Sequence, residues 1–260
     1  MYNVIFFGGL KLENIVSEML YNSSRTVVLD TTAFTKTSFN EPLFLLPVPV
    51  FSIFKECAGG MPEKSLIDWT KKELLNRNKA FVDIGAHVGT YALSFAPHCS
   101  QVYAFECQAT TYYHLCAGIA LNGATNIQAH RVALSSSRGS SELRIISTDG
   151  GGSSICSLPT NSAPLGTERV KVKTLDSYKL RNVGLIKIDV EGNELKVLKG
   201  AIKTLKKNNY PKILFETWPD KWYETQKTEL SNYLRELGYK VLPISGYSQM
   251  FLAEKSESIT

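Results

Sequence analysis

The apolar positions of the chain change rhythm along its length, and the rhythm predicts the elements. Residues 1–60 read as a helix followed by extended segments, "RTVVLD" and "LFLLPVPV". The stretch "EPLFLLPVPVFSIF" (Glu41–Phe54) is interrupted by Pro42, Pro47 and Pro49 and is too short for a membrane span, so it reads as buried extended chain. Glu63–Asn76 places Leu66, Trp69 and Leu74 at helical spacing. From Phe81 the pattern alternates. "FVDIG" is a strand, "VGTYALSFA" a helix, "QVYAFE" a strand and "TTYYHLCAGIALNG" a helix ended by Asn122-Gly123. "IQAHRVAL" is a third strand. The β-like runs "SELRIIS" and "RVKVKTL" then flank a polar, glycine-rich insert, Ser147–Glu168. "GLIKIDV" is a strand and "NELKVLKGAIKTLKKNN" one helix, with Leu195, Leu198, Ile202 and Leu205 as its core stripe and Lys196, Lys199, Lys203, Lys206 and Lys207 on a solvated face. Strand "KILFET", helix "KTELSNYLRELG", strand "YKVLPI" and a short strand "MFLAE" follow.

Strands alternating with helices predict an α/β fold, a doubly wound sheet that binds ligands beyond the carboxyl ends of its strands. At 260 residues, 43% apolar and 20% charged, the chain has the composition of an ordinary globule. The net charge of +5 is too diffuse to argue for nucleic acid. Cys57, Cys99, Cys107, Cys116 and Cys156 form no CxxC pair and read as reduced, mostly buried thiols, not zinc ligands.

The candidate chemistry falls at strand ends. Gly85 and Gly89 stand where a strand turns sharply into a helix whose first N–H groups face a ligand. The spacing Gly-Ala-His-Val-Gly is not the dinucleotide GxGxxG. His87 holds the place of its second glycine and would crowd a pyrophosphate, which weighs against NAD or FAD. Asp83 closes the first strand and can accept from an ammonium, bind a water or cap the turn. Glu106 closes the next strand, where an acid is suited to the two hydroxyls of a ribose. In "IKIDVEGNEL", Lys187, Asp189 and Glu191 alternate, and Asn193 reads as a helix N-cap. Glu216 ends the next strand and adds a third acid to the same rim.

These residues resemble the FkbM-like methyltransferases. The resemblance rests on "FVDIGAHVGTYA", "VYAFE", Asn122 with Asn126, "GGGSSI", "VKVKTLDSY" and, above all, "LIKIDVEGNELKVLKGA", in family order from Lys79 to Glu216. It implies a Rossmann-like seven-stranded sheet that binds S-adenosyl-L-methionine (SAM) over residues 61–260, with an N-terminal extension over 1–60, and methyl transfer to a hydroxyl. By the same resemblance Asp83, Gly85, Ala86, His87, Gly89 and Thr90 line the methionine and ribose part of SAM. Glu106 holds the ribose, and Ala133 lies near adenine. Asp189 and Glu191 border the reaction centre. His87 stands where the family more often has Asn.

A hydroxyl nucleophile has to lose a proton, and Asp189, Glu191 and then Glu216 are the candidate bases. A divalent cation held by two of these acids is the alternative to a metal-free route. His98, His114 and His130 read as structural or surface residues. The insert at 147–168 is either a lid over the acceptor or a linker. The expected acceptor is a small hydroxylated molecule, with carbohydrate foremost, and no nucleic acid or membrane span is expected. With no signal peptide recognised, the expected location is cytoplasmic. The competing readings are a non-catalytic SAM-fold binding module, a nicotinamide-dependent oxidoreductase and an RNA methyltransferase.

Overall fold

The computed structural model describes residues 4–5, 26–29, 32–36, 42–57, 60–156 and 163–255. Its main sheet has seven strands in the order β13-β14-β12-β11-β5-β6-β7. These are β5 (Ala80–Ile84), β6 (Gln101–Glu106), β7 (Ile127–Arg131), β11 (Val183–Ile188), β12 (Lys212–Glu216), β13 (Tyr239–Ile244) and β14 (Tyr247–Lys255). From β12 to β7 all neighbours run parallel, while β14 runs antiparallel to both β12 and β13. Strand order reverses on either side of β5. The crevice beyond the carboxyl ends of β5 and β11 is therefore the place where such a sheet accepts a ligand.

The period-two rule sorts the side chains of each strand between two cores. Phe81 and Leu185 join one cluster with Phe95 and Tyr91, whereas Val82, Ile84, Ile186 and Ile188 join the other with Leu198 and Leu205. Helices α2 (Lys64–Glu73), α3 (Thr90–Phe95) and α4 (Ala109–Leu121) contribute to the first cluster. α5 (Glu194–Lys199), α6 (Ile202–Lys207) and α7 (Glu224–Glu236) contribute to the second. Asp83 and Lys187 are opposite one another in the β5–β11 register. Lys187 lies on the Tyr91 side, its ammonium 4.6 Å from the ring centre.

A second sheet, in the order β1-β2-β3-β4, comprises Val4–Ile5, Thr26–Leu29, Thr32–Lys36 and Leu43–Pro47. The helix expected near the start of the chain lies outside the described residues. Asn122, just past α4, fastens β4 to the body. It accepts from the Leu43 N–H at 2.8 Å and donates to the Leu43 carbonyl at 2.7 Å. A third sheet joins β8 (Ala133–Leu134), β10 (Gly166–Lys173) and β9 (Gly139–Ile145). Among the described residues no helix is long and apolar enough to cross a membrane.

The structure departs from the sequence pattern in several places. The stretch 41–54 is not extended throughout, because after β4 it becomes helix α1 (Val48–Glu56). Pro49 stands in the first turn, where its missing N–H would have had no partner. The third strand is divided at Val132, whose N–H meets the Glu106 carbonyl as the chain leaves the main sheet. The expected long helix after Asn193 is broken into α5 and α6. A Cβ at Gly200 would lie 2.1 Å from the Ser135 carbonyl oxygen, and the Gly200 carbonyl accepts from Asp176 N–H instead of continuing a helix. In α2, Trp69 is 36% exposed while Ile67 takes the core position beside Leu66. Asn193 does precede a helix, but its side chain makes no cap bond and donates to the Leu134 carbonyl at 2.8 Å.

Candidate active site

The turn from β5 into α3 is built by close approach. Gly85 has φ 83°, and a Cβ there would lie 1.7 Å from the Asp189 carbonyl oxygen, so the turn can lie against the end of β11 only as glycine. The Gly85 and Ala86 N–H groups both donate to the Phe105 carbonyl. Gly89, with φ 93°, packs against Leu115 at the back of the turn.

His87 adopts φ 52°, which turns its N–H onto Glu106 Oε2 at 2.8 Å. The Gln108 N–H donates to Glu106 Oε1, also at 2.8 Å. Each oxygen of this buried carboxylate thus takes one backbone bond. Each keeps a lone pair for a ligand hydroxyl. The His87 ring closes the loop from above, its Nε2 lying 2.7 Å from the Asp149 carbonyl. Gly150, Gly151 and Gly152 thereby become part of the cleft wall. Ser153 and Ile155 of the insert also line the cleft, and residues 157–162 of the insert lie outside the described residues.

Deeper in the cleft is a cluster of charge. Lys187 is buried, and its ammonium donates to Asp189 Oδ2 at 2.8 Å. The charges of Asp189, Asp83 and Glu63 hold its pKa far above the ordinary lysine value against the effect of burial. Although burial opposes ionisation of Asp189, Lys187 keeps its carboxyl below the usual carboxylate range. Asp83 is 1% exposed, and neither carboxylate oxygen has a hydrogen-bond partner among the described residues. Burial raises this carboxyl to about 6, in spite of Lys187 and of the Ala92 N–H of α3, which faces it without a close hydrogen bond.

Glu191 follows the strand in a left-handed conformation, φ 53°. Its Oε1 accepts from the Gly152 N–H at 3.1 Å and its Oε2 from Trp218 Nε1 at 2.7 Å, while its carbonyl accepts from the Ser154 hydroxyl. Burial, reinforced by Asp189, lifts its carboxyl to about 8. Burial, with the nearby Asp189 charge, lifts the Glu216 carboxyl to about 10. Glu194 is structural: it accepts from Gly192 N–H and from the Tyr223 hydroxyl.

One cavity of about 230 Å³ gathers Asp83, Gly85, Ala86, His87, Thr90, Glu106, Ala133, Asp189 and Glu191. Gly89 shapes it from behind, and Glu216 joins it through Asp189. The sequence reading missed Val50, Ile53 and Phe54 of α1, and Glu63 and Tyr91, all of which line the same cavity. It also missed Trp218. The pairing of an acid with a tryptophan 27 positions apart leaves no local pattern.

The sequence profile of the methyltransferase FkbM domain matches residues 83–241, which span the strands, turns and acids just described. The chain belongs to the FkbM methyltransferase family. Among solved structures the fold is similar to methyltransferase FkbM from Methylobacillus flagellatus KT, with 15% identity, a TM-score of 0.50 and 80% of this chain covered. The chain spans only 58% of that protein's length. It is also similar to an rRNA methylase from Streptococcus thermophilus, with 14% identity, a TM-score of 0.46, and 75% of this chain and 96% of that chain covered. TYW2 of M. jannaschii, solved with AdoMet, shows 18% identity and a TM-score of 0.44 over 87% of this chain and 84% of its own. No curated protein matches the chain. Within the FkbM family domain lie the Gly85 turn, Glu106 and the Asp189–Glu191 turn, whereas α1 and Glu63 precede it.

Proposed function

We propose that this FkbM-family protein binds SAM in the cleft between β5 and β11 and methylates a hydroxyl of a small acceptor, a sugar or glycan foremost. The observation that carries the donor assignment is Asp83, a buried carboxylate in the cleft wall with no partner among the described residues. Such a group suits a cationic ligand. Glu106, fixed by two backbone N–H groups, suits a ribose. Among the described residues lining the cleft, Lys187 is the one lysine or arginine, and it is committed to Asp189, so the cleft is poorly suited to a diphosphate. Gly85, Ala86, His87 and Thr90 would hold the methionine and ribose portion, and Ala133 would lie near adenine.

SAM supplies a methyl group on a sulfonium. The chain's task is to align the acceptor oxygen and take its proton. Asp189 fits the base, because Lys187 keeps it ionised. Glu191 and Glu216 have carboxyls raised to about 8 and about 10, so they are mostly protonated near neutrality and serve to hold Asp189 and the acceptor in place. Trp218, which lines a separate surface groove, donates to Glu191 and helps to hold its carboxyl in place.

Calorimetric titration with S-adenosylhomocysteine, with NADH as the control ligand, tests the donor assignment. Saturable binding of the first alone, weakened in Glu106→Ala, is expected, whereas binding of NADH alone would reverse it. Sugar and glycan acceptors are then screened for methyl transfer. Asp189→Asn should still bind S-adenosylhomocysteine and lose most turnover. Surviving turnover would remove Asp189 as the base.

A further inference from the structure

The chain as a whole nearly balances its charges, with 29 basic and 24 acidic residues, yet the fold gathers five cations in one place. Lys199 of α5 and Lys203 and Lys207 of α6 line a surface groove of about 470 Å³. Arg138, from the turn between β8 and β9, and Lys179, from the segment between β10 and β11, come to the same groove. Lys179 stands just past the turn Leu175–Tyr178 at φ 55° and ψ 35°, in the left-handed region. All five side chains belong to exposed residues. The groove shares no lining residue with the ligand cleft, although Ser136 in its wall lies two residues beyond Leu134 of the cleft wall.

Among the described residues one acid lines the groove, Asp176, and it is already committed. Its Oδ2 accepts from the Lys203 N–H at 3.0 Å, and its Oδ1 accepts from the Thr204 N–H at 2.7 Å and the Thr204 hydroxyl at 2.8 Å. None of the five cations forms an ion pair among the described residues. Like charges gathered in this way raise a local field that attracts a polyanion, which displaces the small ions around them. The lining narrows the choice of polyanion. It contains no aromatic ring on which a nucleic-acid base could stack. Leu180 is its one apolar side chain and is 5% exposed, so the groove offers nothing to enter a bilayer. Ser136, Thr174 and Ser177 place hydroxyls among the cations, groups that can donate to and accept from sugar hydroxyls.

We propose that this groove binds an acidic glycan, a chain of sugars bearing carboxylate or sulfate groups. The inference goes beyond the methyl-transfer reading and does not depend on it.

The test is calorimetric titration of the full chain with a heparin-derived octasaccharide, which carries both kinds of anion. Saturable binding that weakens with rising salt is expected. The combined variant Lys199→Ala, Lys203→Ala and Lys207→Ala should bind about tenfold more weakly or worse. A charge-matched control, Lys72→Ala, Lys221→Ala and Lys240→Ala, removes exposed lysines outside the groove and should stay within about twofold of the parent. No binding by the parent, or equal weakening in both variants, would overturn the proposal. So would a neutral maltooctaose bound as tightly as the acidic chain. Duplex RNA or phosphatidylserine vesicles bound more tightly than the octasaccharide, with that binding lost in the groove variant, would overturn the glycan assignment in favour of that partner. Thermal melting checks that the variants are folded. If the groove variant does not fold, Lys179→Gly serves instead, because glycine takes this backbone conformation without strain. It should weaken the octasaccharide by about threefold, and unchanged binding would count against the groove.

Discussion

Asp83 and Lys187 are register partners on adjacent strands, yet Lys187 donates to Asp189, two residues along and just past the end of its own strand, and leaves Asp83 without a hydrogen-bond partner among the described residues. The buried lysine therefore serves three acids at once. Replacing it with methionine keeps the stem and removes the charge, leaving these acids without their shared cation. Lys187→Met should lose about 3–5 kcal/mol of stability, the usual cost of stripping one partner from a buried ion pair, read as a lowered urea midpoint with unchanged slope.

Gly85 is the tightest contact in the site. Gly85→Ala forces a Cβ into the Asp189 carbonyl and a side chain into positive φ. We expect a loss of roughly 2–4 kcal/mol and a collapse of ligand affinity, since the β5 and β11 turns must separate. A variant as stable as the parent in denaturant melts would contradict the packing described.

His87 joins the glycine turn to the 147–152 segment by its bond to the Asp149 carbonyl. His87→Ala should release that segment at little cost to global stability, about 1 kcal/mol or less. Hydrogen exchange at Gly150–Gly152 is the measurement, with faster exchange there and unchanged exchange in β5 expected. His87→Asn tests whether a shorter amide restores part of the protection.

The acids give stability a pH signature. The carboxyl of Glu191 is raised from an ordinary 4.5 to about 8, and that of Glu216 to about 10, chiefly by burial. The folded state then holds protons that the unfolded chain has released. Stability is therefore greatest below pH 4.5 as far as these two groups are concerned, and it falls as pH rises toward about 8 for Glu191 and about 10 for Glu216. Glu191→Gln should lessen the slope from about pH 4.5 to about 8, whereas Glu216→Gln should lessen it over the same range and remove it between about 8 and about 10. Urea midpoints across pH 5–10 would show it, and parallel curves for parent and variants would refute it.

The parts of the site written in consecutive residues are legible in the sequence alone. Asp83 through Thr90 had to be a strand, a tight turn and a helix start, and Glu106 had to end the neighbouring strand, because periodicity and glycine placement fix both locally. What escaped depends on distant segments meeting. Glu63 reaches the cleft only because α1 and α2 fold against Tyr91 and because its backbone takes a conformation that no sequence pattern announces. Asn193 occupies the expected cap position but spends its amide on Leu134, a partner on another sheet. The break at Gly200 was hidden for the same reason, since the Ser135 carbonyl that demands it approaches from outside the helix.

The position of β14 between β12 and β13 has a consequence for how the molecule is made. Strand β12 receives its outer neighbour from residues 247–255, well after β12 itself has left the ribosome. Until then both β12 and β13 present open edges with unpaired N–H and C=O groups, the feature that invites pairing with other chains. Translation that stalls or ends before Tyr247 would yield a protein whose ligand cleft residues are all present but whose sheet is unsealed, and quality control should recognise it by that edge.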